Sequence, residues 1–137
     1  MRTLDFDSFA KQPKHIRFQG LVQAVGLEED AMAQILGITR ISIRSIKATG
    51  IPRGKDHQSQ LHQVDRLVYL IRFVLYLTRY DVSKAKRFWR AENYFWGYDP
   101  KPPWYEKGIH QYLLDEGPEG LVKASQWVLS TRDKHGF

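Results

Sequence analysis

The stretch LVYLIRFVLYL, Leu67 to Leu77, constrains this chain more than any other. Leu61, Val64, Leu67, Val68, Ile71, Val74 and Leu75 fall on one helical stripe, and Tyr69, Leu70, Phe73 and Leu77 extend the apolar surface around most of the same helix. A helix that is apolar on nearly every side needs cover on every side. It is either the centre of a helical domain or half of a dimer interface. It does not span a membrane, because Arg72 interrupts the run and eleven helical residues rise roughly 16 Å, about half of a bilayer core. The rest of the sequence must supply the covering helices. With 137 residues, 42% of them hydrophobic, the chain has the material for a core.

Glycine and proline show where those helices stop. Residues 1–13 read as an arm ending at Pro13, followed by a first helix from Lys14 to Val25 that Gly26 stops. EEDAMAQILG reads as a second helix, with acids in its first turn, where the helix dipole favours them, and Gly37 at its end. A third starts at Thr39 as N-cap and runs to Gly50. IPRGKDHQ then reads as a linker. The long apolar helix covers Ser59 to Arg79, and a shorter one, opened by Asp81, covers Val82 to Glu92. YFWGYDPKPP is irregular because Gly97 and three prolines oppose a helix or strand interior. Two more helices fit WYEKGIHQYLLDEG and, after Pro118 in a favourable first-turn position, EGLVKASQWVLSTR. No segment alternates with period two as a hairpin would. The fold class is all-α, with a division between an N-terminal domain of residues 1–57 and a C-terminal domain of residues 58–137.

Glu29 to Ala48 fits the twenty-residue frame of a helix-turn-helix. Ala33 takes the fifth position, where a small residue lets the second helix cross closely, and Gly37 the ninth, where the turn is left-handed. Met32, Leu36, Ile38, Ile43 and Ile46 fill the apolar slots, and Thr39, Arg40, Ile41, Arg44, Ser45 and Ala48 face outward. In this motif the N-terminal part of the second helix enters the major groove of double-stranded DNA. Arg40 or Arg44 suits a bidentate pair with guanine, worth roughly 1–3 kcal/mol of discrimination. Thr39, Ser42, Lys47, Arg53 and Lys55 suit phosphate. Five basic residues lie between Arg40 and Lys55, with no acid until Asp56. An ordinary amphipathic helix with a solvated basic face shares the isoleucine spacing. The joint fit of Ala33, Gly37 and the apolar slots favours DNA. The stretch GITRISIRSIKATGIP also matches the start of MerR-type regulators, but RGKDHQSQLHQVDRL leaves no room for their β-wing.

Net charge agrees: 21 Lys and Arg against 15 Asp and Glu give +6, a balance that favours polyanionic partners. Cysteine is absent, which removes thiol nucleophiles, thiolate metal sites and disulfides and suits a reducing cytoplasm. MRTLDFDSFAKQ lacks the apolar core of a signal peptide, so a cytoplasmic location is expected. The five histidines are scattered, and His57 and His62 stand five apart rather than at the spacing of a helical metal pair. There is no phosphate loop, dinucleotide fingerprint or serine elbow. A non-enzyme without metal or cofactor is expected.

The sequence resembles the antitoxins of the Xre/MbcA/ParS group between about Gly37 and Val128. The resemblance rests on LGITRISIRSIKATG, on DRLVYLIRFV, and on Asp81, Ala85 and Trp89 in DVSKAKRFWR. It continues through GIHQYLLDEGPEGLV, where Leu113, Leu114, Gly117 and Val122 take the places of the family's paired leucines, glycine and valine. The family's proline falls at His110, Gly108 lies one residue out of step, and Tyr94 to Tyr105 is longer and more aromatic than the family's link. The resemblance implies a helix-turn-helix joined to a toxin-binding domain, a RES-domain toxin that degrades NAD as partner, and repression of the system's own promoter. Its contacts would lie in the C-terminal region, with Trp96, Tyr98, Trp104, Leu113, Leu114 and Gly117 as candidates. A homodimer on a two-fold operator is expected. The alternative is a phage or plasmid regulator of the same architecture without a toxin. A third is an interaction protein whose basic helix meets an acidic protein.

Eight of the eighteen residues from Phe88 to Tyr105 are aromatic. Phe88, Trp89 and Trp127 read as core, whereas Trp96, Tyr98 and Trp104 divide between core and partner surface.

Overall fold

The computed structural model describes residues 11–53, 57–91 and 100–137. These residues form seven helices and no sheet. In chain order they are α1 (Lys14–Ala24), α2 (Glu29–Leu36), α3 (Arg40–Thr49), α4 (His57–Leu77), α5 (Val82–Arg90), α6 (Ile109–Ser130) and α7 (Arg132–His135). The all-α class follows from the sequence punctuation, and so do most helix ends. Thr39 caps α3 by accepting from the Ser42 amide, and Asp81 caps α5 by accepting from the Lys84 amide.

The apolar helix is the centre of the fold. Leu67, Leu70, Ile71, Phe73, Val74 and Leu75 of α4 are buried, and α1, α2, α5 and α6 pack around it. Central burial therefore accounts for the apolar girdle. Leu61 and Val68 are only half-buried. One hydrophobic core runs from Phe18 on α1 to Val128 on α6, across the expected division at residues 57–58. The α2 helix packs on α3 and also on α4 and α6. Side-chain amides reinforce this seam: Gln34 donates to the Leu114 carbonyl at 2.7 Å and Gln63 to the Pro118 carbonyl at 3.1 Å.

Three boundaries differ from the sequence reading. The long helix starts at His57, inside the expected linker, and ends at Leu77 rather than Arg79. Arg79 and Tyr80 take φ of 55° and 62°, which no right-handed helix continues through. The WYEKG segment is a turn and not the first turn of a helix. The Trp104 carbonyl accepts from the amides of Lys107 and Gly108, Glu106 has φ of 80°, and helix begins only at Ile109. The division between the two expected helices is where the sequence reading puts it: α6 is two helical pieces, 109–116 and 118–130, set at an angle by Gly117 at φ 64° and ψ −144°.

The aromatic residues in the described part are mostly core. Phe88, Trp89 and Trp127 are buried as expected, and Trp104 joins them at 1% exposure, edge-on to Trp127 at 5.2 Å. Phe73 stands edge-on to Trp127 at 6.1 Å and to Phe137 at 5.7 Å, so the C-terminus closes the core against α4. Tyr76 donates its hydroxyl to the His135 carbonyl at 2.7 Å, which ties α7 to the same place. No described helix is long and apolar enough to cross a membrane.

Candidate nucleic-acid interface

The α2–α3 pair presents the candidate interface. Met32, Leu36, Ile43 and Ile46 are buried and Ala33 and Ile38 half-buried, so the apolar slots of the twenty-residue frame do turn inward. Gly37 has φ 68° and ψ 33°, and its amide bonds the Ala33 carbonyl. That left-handed residue ends α2, and Thr39 starts α3 two residues later. The inner face of α3 packs on α1 and α2, held by the Gln19 side chain, which donates to the Lys47 carbonyl.

The outer face of α3 is open. Arg40, Ile41, Arg44 and Ala48 are exposed, and Ile41 reaches 63%, an unusual exposure for a large apolar side chain. Ile51, just past the helix, is 57% exposed. Sequence reading singled out Ile41 but missed Ile51, whose only signal is an isoleucine beside a proline in an otherwise polar loop. Ser45 is half-buried, and its hydroxyl donates to the Ile51 carbonyl at 2.6 Å, fixing the chain as it leaves α3.

Ser42 is a correction. It is expected to face phosphate, yet it is 1% exposed. Its hydroxyl donates to Gln60 Oε1 at 2.9 Å or to the Arg53 carbonyl at 3.1 Å and accepts from the Arg53 amide at 3.0 Å. It fastens α3 to the following loop and to α4, and this positions Arg53, whose side chain is exposed. Lys55, Trp96 and Tyr98 lie outside the described residues.

Charge is the second correction. The acid-free run exists in sequence but not in space. Arg44 Nε donates to Glu29 Oε2 at 3.2 Å, Lys47 Nζ lies 3.9 Å from Glu29 Oε1, and Arg40 pairs with Asp30 at 3.1 Å. The first-turn acids of α2 thus hold the basic side chains of α3. Both arginine side chains are exposed, and surface pairs of this kind contribute only about 0.2–1 kcal/mol each, so the arginines remain available to a stronger anion.

Of the C-terminal candidates, Leu113 is wholly buried and Trp104 nearly so. Both are part of the internal core, which removes them from a contact surface. Leu114 and Gly117 are half-buried beside α2, where a Cβ on Gly117 would stand 3.6 Å from the Gln34 carbonyl. The described candidates therefore do not form one patch. Neither a protein-family model nor a curated protein matches this sequence.

His110, on α6, faces Trp89 of α5. Its Nδ1 accepts from Trp89 Nε1 at 3.1 Å, and burial, then the positive charge of Arg90, hold it below the ordinary histidine range. This joins α5 to α6 with a neutral imidazole. Among the described residues no group of three or more His, Asp or Glu is placed to hold a metal ion.

Proposed function

We propose that this chain binds double-stranded DNA by laying the N-terminal half of α3 in the major groove. The observation that carries the reading is the outer face of α3. Arg40, Ile41 and Arg44 stand exposed together on a helix whose opposite face is locked into the core. Arginine matches guanine O6 and N7 bidentately, and an exposed isoleucine is suited to a thymine methyl. The N-terminus of α3 and Arg53 suit flanking phosphates. A two-fold dimer would set two such helices roughly 34 Å apart.

The test is duplex binding as a function of salt. Affinity should fall linearly on a log–log plot, and Arg44→Ala should weaken a sequence selected from a random pool by about 1–3 kcal/mol while changing random duplex far less. Equal losses on both would make Arg44 a phosphate contact. No salt-dependent binding at all would end the DNA reading and leave the basic helix to an acidic protein.

The antitoxin reading extends this one and rests on the resemblance. What favours it over a stand-alone regulator is that the C-terminal α6 packs directly on α2 and its turn, so a partner held by α6 has a mechanical route to α3. A neighbouring reading frame that arrests growth when expressed alone, and is relieved by this protein, is the outcome it requires. A harmless neighbour leaves the regulator.

A further inference from the structure

Between α1, the end of α3 and α4 lies an open-mouthed cavity of about 370 Å³. That is at the lower end of the roughly 300–1,000 Å³ of small-molecule sites. Its walls are of two kinds. Phe18, Leu21, Ile46, Leu61, Val64 and Val68 supply an apolar body. Around this body stand the cationic side chains of Lys14, Arg17 and Arg72. Asp65 is the lone carboxylate in the lining, and Lys14 already pairs with it at 3.2 Å. That leaves Arg17 and Arg72 in excess. Arg17 Nε is buried and has no hydrogen-bond partner among the described residues. That atom is closed off from the cavity as well, so an occupant would meet Arg17 through its terminal guanidinium nitrogens, which no carboxylate among the described residues pairs. The cavity also explains why Leu61 and Val68, on the stripe of the central helix, are incompletely covered.

We infer that this cavity is a binding site for a small amphipathic organic anion, an alkyl or aryl carboxylate whose apolar part lies among the aliphatic residues and whose carboxylate meets Arg17. Neutral apolar molecules would gain the burial but leave Arg17 unmet. Inorganic anions would meet Arg17 but leave the apolar walls uncovered. The occupant therefore needs both parts. Nothing in this inference depends on DNA.

Octanoate and octan-1-ol, titrated separately into the full-length protein by calorimetry, distinguish the cases. Octanoate should saturate a single site and bind roughly tenfold or more tightly than the alcohol, the difference expected of one charge-assisted interaction. Arg17→Met should bring octanoate down to the level of the alcohol without weakening the alcohol. Leu61→Trp, which fills the cavity from its half-exposed rim, should abolish both while leaving far-UV circular dichroism unchanged. The inference is overturned if the wild-type protein binds octanol as well as octanoate, or binds neither. It is also overturned if folded Arg17→Met keeps the preference or folded Leu61→Trp keeps the binding. The wild-type comparison decides the matter even if a variant misfolds.

Discussion

Two glycine turns meet in this molecule, and they are glycine for different reasons. Gly37, between α2 and α3, has φ 68° and ψ 33°, a left-handed conformation that other residues adopt at modest cost. Gly117, which bends α6, has φ 64° and ψ −144°, a region open essentially to glycine alone. Their surroundings are reversed. A Cβ on Gly37 would come within 2.6 Å of Pro118 Cγ, whereas a Cβ on Gly117 would meet nothing closer than the Gln34 carbonyl at 3.6 Å. Gly117 is required by its own backbone. Gly37 is required as much by what lies across from it as by its own backbone. The candidate reading unit and the C-terminal helix are thus fitted to each other at the turn itself.

Substitution separates the two causes. Gly37→Ala combines left-handed strain with the collision on Pro118, and should cost about 3 kcal/mol in urea unfolding. In a Pro118→Ala background, with Cγ and Cδ gone, the same change should cost about 1–2 kcal/mol, the strain alone. Additive losses would show that the turn and α6 are not coupled. Gly117→Ala should cost about 2 kcal/mol from the backbone, and Pro118→Ala should leave that cost unchanged.

This contrast also marks what the sequence makes legible. Gly37, Ala33 and the apolar slots lie within twenty residues of one another, and local spacing is enough to place them. The central helix was readable as one that needs cover on every side, but whether the same chain or a second copy supplies that cover was not. What could not be read were meetings between distant segments. Ser42 turns inward because Gln60 and Arg53 are there to receive it. Arg40 and Arg44 look free in sequence because their acids belong to the preceding helix. Trp104 and Leu113 read as contact candidates because nothing local says that α6 folds back over α2 and α4. The turn at Glu106 is made by a left-handed residue that is not glycine, so it left no signal. The cavity beside Arg17 needs three helices to exist at all.

The α5–α6 seam responds to a different variable, pH. His110 is depressed by burial and by Arg90, so as pH falls below the ordinary histidine value of about 6.5 the unfolded chain binds a proton before the folded one does. Its contribution to stability is therefore complete above about pH 6.5 and is lost as pH drops toward its folded-state value. Urea unfolding of the wild type and of His110→Gln, at pH values from 7.5 to about 5, isolates this group. The wild-type stability should decline across that window more steeply than that of the variant. Parallel curves would mean that protonating His110 does not disturb the bond from Trp89.

The smallest effect bears on the candidate reading face. Glu29 holds both Arg44 and Lys47, and Asp30 holds Arg40, whereas phosphate and guanine would compete for the same cations. If the pairs compete with DNA, Glu29→Gln frees Arg44 and removes a negative charge beside the backbone. Exposed pairs contribute up to about 1 kcal/mol, so duplex affinity should rise no more than roughly fivefold. The gain should shrink as salt rises, because the lost attraction and the lost repulsion are both screened within a Debye length of about 8 Å at physiological ionic strength. A fall in affinity would reverse the assignment. Glu29 would then be aiming Arg44 at its base rather than withholding it, and the acids of α2 would belong to the reader instead of competing with the DNA.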